Sequence, residues 1–163
     1  MLIMKRIFIY SILISLFITA CDNNDSNTFC SQNENAITIS HDNITREYIL
    51  YVPQSYSDQA VPLLFNFHGF GDTAEEYMNY VDMRSLAESE QFILVYPQAV
   101  PDPGNGGATS WMHKAPTTFD DIPFVEVMID VIAAEYMIDD NRVYVCGYSL
   151  GGEFTYELAC SLN

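Results

Sequence analysis

The fold class this sequence predicts is α/β, a mostly parallel sheet with an antiparallel edge at its N-terminal side. Three observations carry it. Val61 to Phe67 and Phe92 to Tyr96 are nearly unbroken apolar runs, the pattern of strands buried on both faces of a parallel sheet, and helical periodicity lies between and after them. Ala36 to Ser40 and Ile44 to Val52 read as two strands of alternating polarity around His41-Asp42-Asn43, an antiparallel pair. A further strand pattern, Arg142 to Cys146, runs directly into Gly147-Tyr148-Ser149-Leu150-Gly151 and then into a helix.

Taken in order, Pro53 closes the second strand because proline has no N–H to give to a ladder. His68-Gly69-Phe70-Gly71-Asp72 is a sharp loop after the third strand. Helical patterning follows over Thr73 to Tyr80 and Met83 to Glu90, and Pro97 ends the next strand. Gln98 to Pro116 holds Pro101, Pro103, Gly104, Gly106 and Gly107, enough breakers to predict no regular structure. Asp120 and Asp121 predict the start of a helix reaching about Tyr136, with Val125, Met128, Ile129 and Ile132 as its apolar stripe.

Composition narrows the functional classes. The chain has 163 residues, 10 Phe and 11 Tyr, and a net charge of −16. Setting aside Lys5 and Arg6, four basic residues face 22 acidic ones, so the surface repels nucleic acid. Lys5-Arg6, the apolar run Ile7 to Ile18 and Ile18-Thr19-Ala20-Cys21 have the layout of an export signal with a small-residue cleavage site. The run is shorter than the roughly 20 apolar residues that span a bilayer. This segment resembles a bacterial lipoprotein signal, which implies cleavage after residue 20 and lipidation of Cys21; an ordinary secretory signal is the alternative. Residues 21–34 are expected to be a polar tether and residues 35–163 part of one α/β domain. The protein is expected outside the cytoplasm, held to a membrane by lipid or released. Cys146 reads as a small buried hydrophobe, while the pairing of Cys30 and Cys160 stays open. No Cys/His spacing suggests a metal site, and no cofactor is expected.

Glycine two residues before and two residues after a serine, between a strand and a helix, is the pattern of a nucleophile elbow. Gly147 and Gly151 occupy those places, making Ser149 the candidate nucleophile. A neutral hydroxyl needs a base to take its proton and donors to hold the oxyanion. The expected donors are the backbone N–H groups of Leu150 and Phe70. His68 and Trp111 are candidate substrate contacts, with Trp111 alternatively an anchor for its loop, and His113 and His41 read as surface residues.

The chain resembles the secreted polyhydroxybutyrate depolymerase-like esterases, a group that includes feruloyl and acetylxylan esterases. The resemblance rests on Tyr48 to Pro53, Leu63 to Gly69, Ala87 to Gln98 ending in Val95-Tyr96-Pro97-Gln98, Asp120 to Val125, and Ile138 to Cys160. It implies an α/β-hydrolase fold, Ser149 as nucleophile of a Ser-Asp-His triad, an oxyanion donor from the His68-Gly69-Phe70 loop, and an ester substrate that can be polymeric. In that family the acid and the base follow the serine. Here Glu153 and Glu157 are the acids beyond Ser149 and no histidine follows, so the expectation is a fold truncated after the nucleophile helix and inactive alone. Two other functions stay open, a non-catalytic lipoprotein binding module on this fold and a serine peptidase of the same fold.

Overall fold

The computed structural model describes residues 36–111 and 120–162. The leader, Cys21, the tether, Cys30 and His113 lie outside these residues. Two strands open the described part, β1 (Ala36–His41) and β2 (Ile44–Tyr51), paired antiparallel around Asp42 and Asn43, both at positive φ. Asn and Asp tolerate that left-handed conformation better than other side chains, which is why this pair makes the turn.

β3 (Val61–Phe67) comes next, followed by α1 (Ala74–Tyr80), α2 (Arg84–Glu90) and β4 (Ile93–Pro97). Thr73 starts α1 with a capping box, its side chain accepting from the Glu76 N–H while Glu76 reaches back to the Thr73 N–H. The chain then forms β5 (Val100–Pro101), β6 (Thr109–Ser110), α3 (Asp121–Glu135), β7 (Ile138–Gly147) and α4 (Leu150–Ser161).

The main sheet runs in the order β1-β2-β4-β3-β7, with β3 parallel to β4 and to β7 and β2 antiparallel to β4. The expected α/β architecture with an antiparallel N-terminal edge is therefore the architecture observed. Helices cover both faces of the sheet. Tyr77, Met78 and Ala87 of α1 and α2 pack on Ile49, Leu94 and Tyr96 on one side. Phe124, Val125, Met128 and Ile132 of α3 and Phe154 and Leu158 of α4 pack on Leu63, Phe65, Phe67, Ile93 and Val95 on the other. Each such fully buried side chain is worth roughly 1.5–3 kcal/mol of transfer free energy.

Two expectations are corrected. The segment after Gln98 is not irregular throughout, because β5 and β6 pair as a small hairpin. The breakers build its turn: Asp102 accepts the Gly104 N–H, Pro103 starts a single 3-10 turn, and Gly106 and Gly107 take positive φ. β7 also begins four residues earlier than Arg142, with a register shift between Val61 and Leu63. There Asp139 accepts from the Asn141 N–H at 3.0 Å and from Arg142 Nε at 2.6 Å, tying down the extra residues as a bulge.

Beyond β4, the chain crosses over β3 to form β7. The connections leaving β3 and β7 therefore go to opposite faces of the sheet, which opens a crevice at their carboxyl ends.

Candidate active site

Ser149 sits in that crevice, between the last residue of β7 and the first of α4, and it is exposed. Its φ is 51° and its ψ −120°, a conformation L-residues rarely adopt and that costs on the order of 1–3 kcal/mol. The flanking glycines explain how it is held. A Cβ on Gly151 would stand 2.3 Å from the Phe67 carbonyl oxygen and 2.5 Å from that of His68. A Cβ on Gly147 would stand 2.6 Å from the Gly151 carbonyl carbon and 2.9 Å from the Phe67 oxygen. These are backbone atoms that cannot swing aside, so α4 and β3 touch only because both positions lack side chains. The Tyr148 N–H donates to the Phe67 carbonyl at 3.1 Å, and the Gly151 N–H donates to the Tyr148 carbonyl at 2.9 Å.

The two amides expected to hold the oxyanion lie at the start of α4 and in the turn after β3. Leu150 is the first residue of α4, so its N–H has no acceptor within the helix and lies at the positive end of the helix dipole. Phe70 is in the turn after β3, where the next two amides are already engaged, Gly71 with the Thr109 carbonyl at 2.9 Å and Asp72 with the Gly69 carbonyl at 3.4 Å.

His68 and Trp111 are not at the mouth of the site; the structure moves both from substrate contact to support. His68 is 0% exposed and both ring nitrogens are engaged. Nδ1 lies 2.7 Å from the Gly69 carbonyl, which can only accept, so Nδ1 carries the proton. Nε2 therefore accepts the Ala99 N–H at 3.1 Å. Burial lowers its pKa, consistent with a neutral ring that clips the β3 loop to the segment after β4. Trp111 is 3% exposed; its Nε1–H donates to the His68 carbonyl at 2.8 Å, and its ring stacks on Phe154 and meets Phe67 edge-on. It anchors its loop under the elbow.

His41 is no free surface residue either, since it is half-buried with its ring 6.1 Å from that of Phe124. It belongs to β1, and with β2, β4 and β3 between, that strand lies about 19 Å across the sheet from β7 at about 4.8 Å per strand. Neither described histidine is placed to take the proton of Ser149. The described residues also contain no cluster of three or more His, Cys, Asp or Glu suited to a metal ion.

Behind the site, Asn66 of β3 gathers three partners. Its Oδ1 accepts from Tyr77 Oη at 3.0 Å and Cys146 Sγ at 3.3 Å, and its Nδ2 donates to Met83 Sδ at 3.2 Å. Desolvation pushes the Cys146 thiol up, yet the residue is only half-buried and its thiol donates to Asn66, so it is not the fully buried hydrophobe that was expected. Cys160 is exposed and unbridged among the described residues. On the far side of the core Arg46, fully buried, pairs with Asp121 at 2.6 Å and lies 3.8 Å over the Phe124 ring, fastening the start of α3 to β2. Sequence reasoning did not single out Asn66 or this pair, because an isolated polar residue in a strand has no local signature of its partners.

Solved structures with this architecture include an S-formylglutathione hydrolase of Agrobacterium tumefaciens, with a TM-score of 0.65 and 17% identity, covering 76% of this chain and 51% of its own. An acetyl xylan esterase of Aspergillus awamori gives a TM-score of 0.60 at 22% identity, over 72% of this chain and 42% of its own. The fold is that of the α/β-hydrolases. A bifunctional acetylxylan esterase/xylanase of Neocallimastix patriciarum is 33% identical over 111 residues, 68% of this chain and 15% of that protein. A probable feruloyl esterase C of Aspergillus terreus is 28% identical over 71% of this chain and 42% of its own length. The sequence model of the family described as Esterase PHB depolymerase matches residues 46–162, and the chain belongs to that esterase family.

Proposed function

We propose that Ser149 is the nucleophile of a serine carboxylic-ester hydrolase acting on esters of the polyhydroxyalkanoate, feruloyl or acetyl-xylan type. The observation that carries this reading is the strained backbone of Ser149, φ 51° and ψ −120°, at a strand-to-helix junction packed too tightly for any side chain at Gly147 or Gly151. Ser149 Oγ attacks the ester carbonyl, and the negative oxygen that forms is held by the N–H groups of Leu150 and Phe70. The alcohol leaves with the proton taken from Oγ, and water then releases the acid from the acyl-serine. The base, and the acid that orients it, come from outside the described residues, since His68 and His41 are otherwise committed. Labelling of the complete gene product with a fluorophosphonate should occur and should disappear in Ser149→Ala; persistent labelling refutes the assignment. A folded protein that takes no label at all would favour the second reading, a binding module on the esterase fold.

The same proposal places the protein outside the cytoplasm, attached through an acyl group on Cys21. Mass spectrometry of the mature N-terminus should find residue 21 first and lipid-modified. An intact Met1, or a start at any other residue, refutes it.

A further inference from the structure

The rim of the crevice carries a carboxylate and three exposed aromatic side chains that the mechanism above does not use. A Cβ placed on Gly69 would stand 3.2 Å from the Tyr148 ring, 3.3 Å from Asp72 Oδ2 and 3.6 Å from Ser149 Cβ, so one point beside the loop is shared by the serine, a carboxylate and an aromatic edge. Asp72 does not stand there loosely. Its Oδ2 accepts from Tyr80 Oη at 2.5 Å, its carbonyl accepts from Thr109 Oγ1 at 2.6 Å, and its N–H donates to the Gly69 carbonyl. Tyr80 is steadied in turn by an edge-on contact with Tyr77. Desolvation and the bond to Asp72 both hold the Tyr80 phenol above its ordinary pKa, as a phenol that donates to a carboxylate should be. Phe70, Tyr80 and Tyr148 are 51%, 57% and 60% exposed; Tyr148 reaches the same point beside Gly69 as Ser149, Tyr80 reaches Asp72, and Phe70 follows Gly69 in that loop.

A carboxylate has about four acceptor sites, and Tyr80 takes one. Those remaining suit a hydroxyl donor on a ligand and repel a second negative charge at the same place. We infer that Asp72, positioned by Tyr80, is a specificity determinant that favours neutral, hydroxyl-bearing esters lying on Tyr148 and Phe70 and rejects esters that carry a negative charge near the scissile bond. The inference rests on Ser149 being the nucleophile.

The test compares hydrolysis of 4-acetoxybenzoate, an anion, with that of its neutral methyl ester by the complete gene product. The acetyl group and its oxyanion are common to both substrates, and their different leaving-group reactivities cancel when the ratio of kcat/KM values is compared between variant and wild type. The change in that ratio therefore reads the added charge. Asp72→Asn should raise the ratio of anion to neutral ester about fivefold, the size expected for one charge several ångströms away at a wet site. Tyr80→Phe leaves the carboxylate in place and removes the donor that offsets it, so the ratio should fall; this variant decides the matter if Asp72→Asn does not fold. Loss of a merely structural loop contact would lower both rates together and leave the ratio alone. An unchanged ratio in a folded Asp72→Asn protein that still labels at Ser149 overturns the specificity role by itself. Labelling that survives Ser149→Ala removes the nucleophile assignment and this inference with it.

Discussion

At Ser149 the chain holds a side chain where glycine would sit more easily. Its positive φ is the cost of presenting a hydroxyl at the tip of a strand-to-helix turn, and that cost should be measurable. Ser149→Gly is expected to be more stable than Ser149→Ala by about 1 kcal/mol, since both lack the hydroxyl and only glycine relieves the strain. Equal melting temperatures for the two would show that the backbone there is relaxed. Gly151→Ala should do the reverse and cost 3 kcal/mol or more, roughly the scale of severe overpacking against backbone, because its Cβ would meet the Phe67 and His68 carbonyls. His68 adds a dependence on pH. Its folded pKa lies below the unfolded value of about 6.5, so the unfolded chain takes up a proton first as the solution is acidified. The stability held in the neutral ring is complete above that value and is lost as pH falls through the folded one. Thermal melts from pH 7.5 to 5 should show this decline, and His68→Asn, which keeps the donor to Gly69 without a titrating ring, should flatten it.

Among the elements, α1 and α3 show how much came from sequence. The helix patterns Thr73 to Tyr80 and Asp120-Asp121 to about Tyr136 agree with α1 and α3 to within about a residue, because apolar periodicity and a threonine or aspartate at the first turn are local signals. Thr73→Ala should cost about 1 kcal/mol in thermal or chemical unfolding. The β5–β6 hairpin was not legible, since two-residue strands give no periodicity and its proline and glycines serve a turn as readily as a loop. The Arg46–Asp121 pair was equally hidden, as the partners are 75 positions apart and meet only through the fold. Removing one partner leaves the other charge buried, so Asp121→Ala should destabilise by about 3–5 kcal/mol. A loss under 1 kcal/mol in urea unfolding would mean that water reaches the guanidinium.

Over the whole molecule, the α/β class, its antiparallel edge and a strand running into the elbow followed from sequence, because apolar runs mark buried parallel strands and alternation marks the edge pair. The order β1-β2-β4-β3-β7 did not, since pairing partners have no local signature. For His68 and Trp111 the sequence could not choose between lining the site and supporting it, although loop anchoring by Trp111 was one of its readings, since a histidine and a tryptophan near a site motif look the same in either role. Among the described residues β7 is an edge strand, its Tyr144 is exposed, and a groove of about 680 Å3 lined by Val125, Ile129, Val143, Val145, Leu158 and Leu162 opens beside it. Ser149 is not among the residues lining it. An open strand edge beside apolar surface favours association. Residues 22–163 expressed alone should elute above monomer size in a concentration-dependent way and hydrolyse 4-nitrophenyl acetate no faster than their Ser149→Ala variant. A monomer with Ser149-dependent activity would contradict both expectations.

The crowding of Gly147 and Gly151 on the end of β3 also settles where this scaffold is adaptable. Phe67 and its neighbours form a seam with no slack: the backbone of α4 rests on the backbone of β3, and the Tyr148 N–H is bonded across it. Two loops far apart in sequence are thereby welded into one rigid piece, and the separation of their amides is inherited from the weld. Phe70 and Tyr148 are the exposed side chains carried by that piece. If Ser149 is the nucleophile, as proposed, these are the positions where a change of side chain should alter substrate preference while the backbone join stays as it is.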